Sequence, residues 1–225
     1  MKILSYNIHH CTQDKIDKVL TMGADIMVVP ECACQEQVTI PAEYDMEWTG
    51  AYENKGLGVI WRKEHEVVIA PWYNEQHKYM LPFIVDRRFI LIAAWPTKVE
   101  GGLQSYPQIL LECLKEYQQY ISQYPTLICG DFNCYIGQGD ARKSTGTFED
   151  CIALLQACGL YNLYHERTGE AFGKETKATY YHQYKENMPF FIDYAFTNIK
   201  VFAYELGKWN KEMSDHCPQM IVCKQ

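Results

Sequence analysis

Residues 127–137 read LICGDFNCYIG: an apolar run closes on Gly130, and Asp131, Phe132 and Asn133 follow at once. With Thr126 in front, the run has the size and character of a buried strand. In extended backbone, positions two apart face the same way, so Asp131 and Asn133 are expected to address one point in space. Asp and Asn at a strand end are also ordinary turn residues, so the stretch gains meaning only in company.

That company is present. KILSYN (2–7) ends in Asn7, and DIMVVPE (25–31) ends in Glu31. Between them QDKIDKVLTM (13–22) reads as a helix stopped by Gly23. A strand–helix–strand unit of this length predicts parallel strands with their C-terminal ends side by side, where open α/β sheets place ligands. Further strands are expected at EWTGA (47–51), GLGVIWR (56–62), EVVIA (66–70), MLPFIV (80–85) and RFILIAAW (88–95), as an antiparallel run.

YPQILLECLKEYQQYI (106–121) is a helix by its apolar spacing, with Pro107 in the first turn. Thr147 and Asp150 form a capping-box pattern for a helix to Cys158. The tail returns to strands at KATYYHQ (177–183), FFIDYAFT (190–197), VFAYELG (201–207) and PQMIVCK (218–224). Many strands with two or three helices outside predict two packed sheets covered by helices. No repeat or linker-like shift interrupts the chain, so 1–225 is expected to be a single domain.

The 225 residues are 48% hydrophobic and 22% charged, enough for a substantial core. A net charge of −7 argues against a broad electrostatic grip on nucleic acid, although a local basic patch survives any net charge. The N-terminus has no signal-peptide pattern and no stretch is long enough to span a membrane, so a cytoplasmic protein with no membrane role is expected. Its ten cysteines read as reduced thiols, without the paired spacing of a zinc site. No obligate protein partner is evident in the pattern.

Near the C-terminus stand Asp193, in FFIDYAF, and the run Ser214-Asp215-His216. Three neighbours in sequence do not make a serine-hydrolase triad, whose members must be linked in space. Asn7, Glu31, Asp131, Asn133 and Asp215 instead form an oxygen-only set that suits Mg²⁺ or Mn²⁺. Carboxylates outside the metal shell can orient or deprotonate an attacking water. His216 can donate to a phosphate oxygen, with Asp193 as the group that orients its ring.

Taken in order, SYNIHH, VVPE, GDFN, FIDYAF and SDHCP resemble the endonuclease/exonuclease/phosphatase superfamily, the deoxyribonuclease-I-like metal phosphoesterases. The resemblance spans residues 3 to 218. It implies a four-layer α/β sandwich of two packed mixed or antiparallel sheets flanked by helices, with the site at one edge. It implies a Mg²⁺- or Mn²⁺-dependent phosphoester hydrolase, a phosphodiesterase of nuclease type, with Glu31 as principal metal ligand and Asn7 and Asp215 nearby. Asp131 would position or activate the water, Asn133 would hold the scissile phosphate, and Asp193 with His216 would face it.

One departure bears on substrate. Where many members carry a His or Tyr ring donor, FILIAAWPTK (89–98) offers Trp95, whose indole donates one hydrogen bond and accepts none. An exposed indole would stack a base and favour single-stranded or short nucleic acid; a core residue beside Pro96 is the other reading. GQGDARKS (137–144) misses the phosphate-loop pattern, since Arg142 replaces its second glycine, leaving Arg142 and Lys143 as substrate-binding candidates. His9 and His10, just past Asn7, are expected as exposed loop histidines, with a place at the edge of the site as the other reading. The rival readings are a phosphatase or phosphodiesterase of small phosphorylated molecules, and a catalytically silent binding module on the same fold.

Overall fold

A computed structural model describes residues 1–98, 103–138 and 146–224. The first half runs β1 (Lys2–Ser5), α1 (Gln13–Thr21), β2 (Ile26–Cys32), β3 (Tyr44–Tyr52), β4 (Lys55–Arg62), β5 (Val67–Ile69), β6 (Met80–Val85) and β7 (Phe89–Ala94). The second runs α2 (Tyr106–Ile121), β8 (Thr126–Asp131), α3 (Phe148–Ala157), β9 (Tyr161–Asn162) and α4 (Leu163–Thr168). It closes with β10 (Tyr180–Tyr181), β11 (Pro189–Phe190), β12 (Asp193–Thr197), β13 (Val201–Leu206) and β14 (Gln219–Cys223).

Two six-stranded sheets result, in the orders β13-β14-β1-β2-β4-β3 and β5-β6-β7-β8-β12-β9. Each contains one parallel pair bridged by a helix: β1 with β2 across α1, and β7 with β8 across α2. All other pairs are antiparallel. The expected antiparallel run is therefore divided, β3 and β4 joining the first sheet and β5 to β7 the second.

Alternation along the strands builds the layers. Ile3, Ile26, Val28, Leu57 and Val59 of the first sheet meet Phe83, Leu91, Ala93, Leu127 and Cys129 of the second in one core between the sheets. The intervening residues point outward: Leu4, Met27 and Val29 against Ile16 and Val19 of α1, and Ile92, Ile128, Tyr194 and Phe196 against Leu110, Leu114 and Leu155 of α2 and α3. A strand buried on both faces reads as a continuous apolar run, which is why TLICG and IMVVP stood out. The four-layer sandwich is thus the observed architecture. Each large aliphatic side chain so buried contributes roughly 1.5–3 kcal/mol.

Local chemistry sets the ends. Gln108 Oε1 accepts from Ser105 N at 2.9 Å before α2. At α3, Asp150 Oδ2 accepts from Thr147 N at 2.9 Å while Thr147 Oγ1 accepts from Asp150 N at 3.2 Å. Gly130 allows the closest contact: a Cβ there would lie 1.8 Å from the Ala94 carbonyl oxygen of the neighbouring β7. Two segments differ from expectation. KATYYHQ supplies only the two-residue β10, because Gln183 and Tyr184 turn left-handed at φ 53° and 58°. YNLYHERT, a stretch given no element by its sequence pattern, forms β9 and α4, with Asn162 Oδ1 accepting from Tyr164 N at 3.0 Å.

Candidate active site

The topology gathers the polar residues at one edge. The parallel strands β1 and β2 run their C-terminal ends toward it, and β8 does the same in the second sheet. Antiparallel partners begin where these end: Asp193, first in β12, is the register partner of Asp131, last in β8. Gln219, first in β14, pairs with Ser5, so the residues just before it, Asp215 and His216, share the edge.

Alternation also aims the side chains. Ile3, Ser5 and Asn7 follow one face, and Leu127, Cys129 and Asp131 the facing one, so both rows end polar where the gap between the sheets opens. There Asn7 Nδ2 donates to Asp131 Oδ2 at 3.0 Å, a bond between the two sheets. The other oxygen, Oδ1, accepts from Asn133 N at 2.9 Å. His216 Nδ1 is 2.9 Å from Asp193 Oδ2, leaving Nε2 at 3.9 Å from both Asp131 Oδ2 and Asp215 Oδ1. Thr179 Oγ1 accepts from Asp193 N at 3.0 Å, and Ser214 Oγ accepts from His216 N at 3.0 Å while donating to Asn7 O at 2.6 Å. The Tyr180 ring covers the imidazole at 4.6 Å.

Apart from the half-buried Asn133 and Tyr180 these residues are buried, and burial governs the protonation of Asp131 and His216. It pushes Asp131 up to about 7, with the His216 charge opposing and Asp193 adding to the rise. Burial also works against charge on His216, but Asp193, Asp131 and Asp215 outweigh it and hold the ring up at about 9. Asp131, Asp193 and His216 offer ligand atoms all within 4.8 Å of one another.

A second cluster lies on the side of the first sheet. Regular alternation would send Glu31 outward after Met27 and Val29. A bulge between Pro30 and Cys32 in the pairing with β4, with Glu31 at φ 60°, turns it into the site instead and gives Cys32 the outward place. Its Oε2 is buried without a hydrogen bond. Lys55 Nζ stands 3.2 Å away, close enough for an ion pair but misaligned for a hydrogen bond, and His9 Nδ1 stands at 3.7 Å. His9 Nδ1 is also 3.5 Å from Asp215 Oδ1. An orphaned carboxylate oxygen with a second carboxylate nearby fits a divalent cation, whose place beside Glu31 the Lys55 ammonium now takes.

No family model and no curated protein matches the sequence. Solved structures do match the fold. The 3′ phosphatase NExo from Neisseria, bound to a product DNA hairpin, superposes with a TM-score of 0.71 at 15% identity over 100% of both chains. An AP endonuclease from Archaeoglobus fulgidus gives 0.69 at 13%, again over 100% of both chains. The endonuclease domain of TRAS1, a telomere-specific non-LTR retrotransposon, gives 0.67 at 14%, over 100% of this chain and 98% of that one. The chain has the endonuclease/exonuclease/phosphatase fold.

Within this fold, Asn7, Asp131, Asp193, Asp215 and His216 form one contiguous set, and Glu31 joins it through His9 and Asp215. Asn133 departs from the alternation expected for it. The strand stops at Asp131 and Asn133 is left-handed at φ 52°, with its Nδ2 donating to the Pro96 carbonyl at 3.2 Å. Trp95 lies in the core between the sheets, 4% exposed, edge-on to Tyr79 at 5.1 Å and beneath Lys55 Nζ at 5.7 Å. No open indole face remains for a base, which corrects the stacking expectation. Arg142 and Lys143 lie outside the described residues. Lys55 enters the site unforeseen, because only long-range pairing brings it there, whereas Thr179, a weak substrate-binding candidate by sequence, supports the backbone of Asp193. His9, expected as an exposed loop histidine, stands between two carboxylates; its place two residues after Asn7 was the available signal.

Proposed function

We propose that the chain is a divalent-metal-dependent phosphoester hydrolase, a phosphodiesterase of nuclease type. The carrying observation is the imidazole of His216: one nitrogen is fixed by Asp193 at 2.9 Å, and the other is held at the meeting point of Asp131 and Asp215. Glu31, with Asp215 and Asn7, would hold the cation. A bound Mg²⁺ or Mn²⁺ supplies Lewis acidity at a phosphate oxygen and eases deprotonation of water.

Asp131 orients the attacking water and takes its proton; burial keeps its basicity near neutrality, where a general base works best. The water oxygen bonds to phosphorus as the ester oxygen opposite it leaves. His216 donates from Nε2 to a non-bridging oxygen, Asp193 balances the ring's charge, and Asn133 contributes its amide to the phosphate. The silent-module reading is disfavoured by the retention of this whole set.

Structures with this fold include a 3′ phosphatase bound to a product DNA hairpin and an AP endonuclease, which supports nucleic acid as substrate. The net charge of −7 argues against a broad grip on long nucleic acid, which favours short pieces and keeps small phosphorylated molecules as a second reading. All ten cysteines are free thiols, which suits a reducing compartment such as the cytoplasm. No described helix is long and apolar enough to cross a membrane.

The test is hydrolysis of single-stranded DNA, duplex DNA, RNA and small phosphomono- and diesters with Mg²⁺ or Mn²⁺, with and without chelator. Cleavage of at least one, lost in chelator and restored by metal, is expected. Activity that persists in chelator, or none on any substrate, overturns the reading.

A further inference from the structure

An all-oxygen cation site follows from the strand-end residues alone, but the structure puts an imidazole among them. His9 Nδ1 stands 3.5 Å from Asp215 Oδ1 and 3.7 Å from Glu31 Oε2. The ring is held there by its surroundings. Asn7 Oδ1 accepts from His9 N at 3.0 Å. Lys15 Nζ donates to the Ile8 carbonyl at 2.7 Å and to the carbonyl of His9 itself. His10 and Tyr184 pack edge-on at 4.1 and 5.5 Å. Both His9 and His10 are left-handed, at φ 41° and 55°, a conformation that a non-glycine residue keeps only when its surroundings impose it.

We propose that His9 Nδ1 is a ligand of the cation held by Glu31 and Asp215, making a mixed nitrogen–oxygen centre that prefers Mn²⁺ to Mg²⁺. This rests on the cation site proposed above and adds its selectivity. Adjacent ligands about 2.1 Å from an octahedral ion lie about 3 Å apart, so the nitrogen must close by about 0.5 Å on Asp215 and about 0.7 Å on Glu31, and the two carboxylates must draw together around the ion. Mg²⁺ is served by oxygen and water, whereas imidazole suits transition metals. The cation must also displace Lys55 from Glu31. Its half-exposed side chain, at 46%, leaves the ammonium room to swing into solvent.

The experiment titrates the metal-free full chain with Mn²⁺ and with Mg²⁺ by calorimetry, and records pulsed electron paramagnetic resonance of the bound Mn²⁺. Nitrogen modulation from a coordinated imidazole is expected, present in His10→Asn and absent in His9→Asn. Asparagine tolerates left-handed backbone, so the loop should keep its shape, and the wild-type spectrum decides the matter even if it does not. The Mn²⁺-to-Mg²⁺ affinity ratio should fall by at least about tenfold in His9→Asn, as much as losing even a supporting partner of a metal ligand costs. Bound Mn²⁺ without nitrogen modulation, or modulation that survives His9→Asn, overturns the proposal and leaves the cation site standing. Failure of Mn²⁺ to bind at all overturns both.

Discussion

The two halves of the site share one edge of the sandwich and are built in opposite ways. Around Asp131, Asp193 and His216 the carboxylates accept from Asn7 Nδ2 and Asn133 N and pair with the imidazole, Thr179 Oγ1 accepts from Asp193 N, and all three residues are buried. Around Glu31 and Asp215 the neighbouring nitrogen groups only approach: Lys55 and His9 stand at 3.2 to 3.7 Å, and Glu31 Oε2 accepts no hydrogen bond. A satisfied buried network is rigid, because any displacement leaves a desolvated charge unpaired. A half whose partners are near but unbonded can exchange them. The first half is suited to hold fixed chemistry, and the second to receive a group from outside.

Substitutions test that contrast. His216→Ala should show the largest effect. Turnover should fall by at least about two orders of magnitude, and the metal-free fold should lose about 3–5 kcal/mol, as when one partner of a buried ion pair is removed. Kinetics and denaturant melts check both, and normal stability would mean the network is not rigid. Asp193→Asn keeps a hydrogen-bonding group beside the ring but removes the charge that balances it. Its rate should lie between wild type and His216→Ala, and normal kinetics would dissolve the pairing.

On the other side, Glu31→Gln should weaken metal binding in a calorimetric titration while moving the stability of the metal-free chain by no more than about 0.5 kcal/mol. A large loss of stability there would erase the distinction between the halves. Lys55→Met removes the ammonium that competes for Glu31, so metal affinity should rise modestly; an unchanged or weaker affinity would make Lys55 a supporting partner.

The smallest expected effect is a pH slope. His216 is held at about 9 in the fold, above its ordinary 6.5, so its protonation stabilises the metal-free protein below about 6.5, and this is lost as pH rises through 9. Asp131, raised to about 7 by burial, acts in the same direction, since its ionisation in the fold is penalised. Melting temperature should therefore fall across this window, and less steeply in His216→Gln.

Much of this was legible in the chain. The helix at 106–121 matches its apolar spacing residue for residue, and the parallel pairing of β1 with β2 followed from the length of the connection between them. Asn7, Glu31 and Asp131 were visible because each closes an apolar run. These features depend on periodicity, caps and breakers a few residues apart, and short-range physics records them in the sequence. Which sheet each antiparallel strand joined was decided only in three dimensions, because an alternating strand can lay its apolar face on either. The same holds where one backbone angle re-aims a side chain: Glu31 turned inward at a bulge, and Asn133 was turned out of register at φ 52°. His9 reaches the carboxylates from a left-handed turn at φ 41°, whereas Trp95 continues the inward row of Leu91 and Ala93. A side chain's neighbours across a gap between sheets come from distant parts of the chain, and only the closed sandwich brings them into contact.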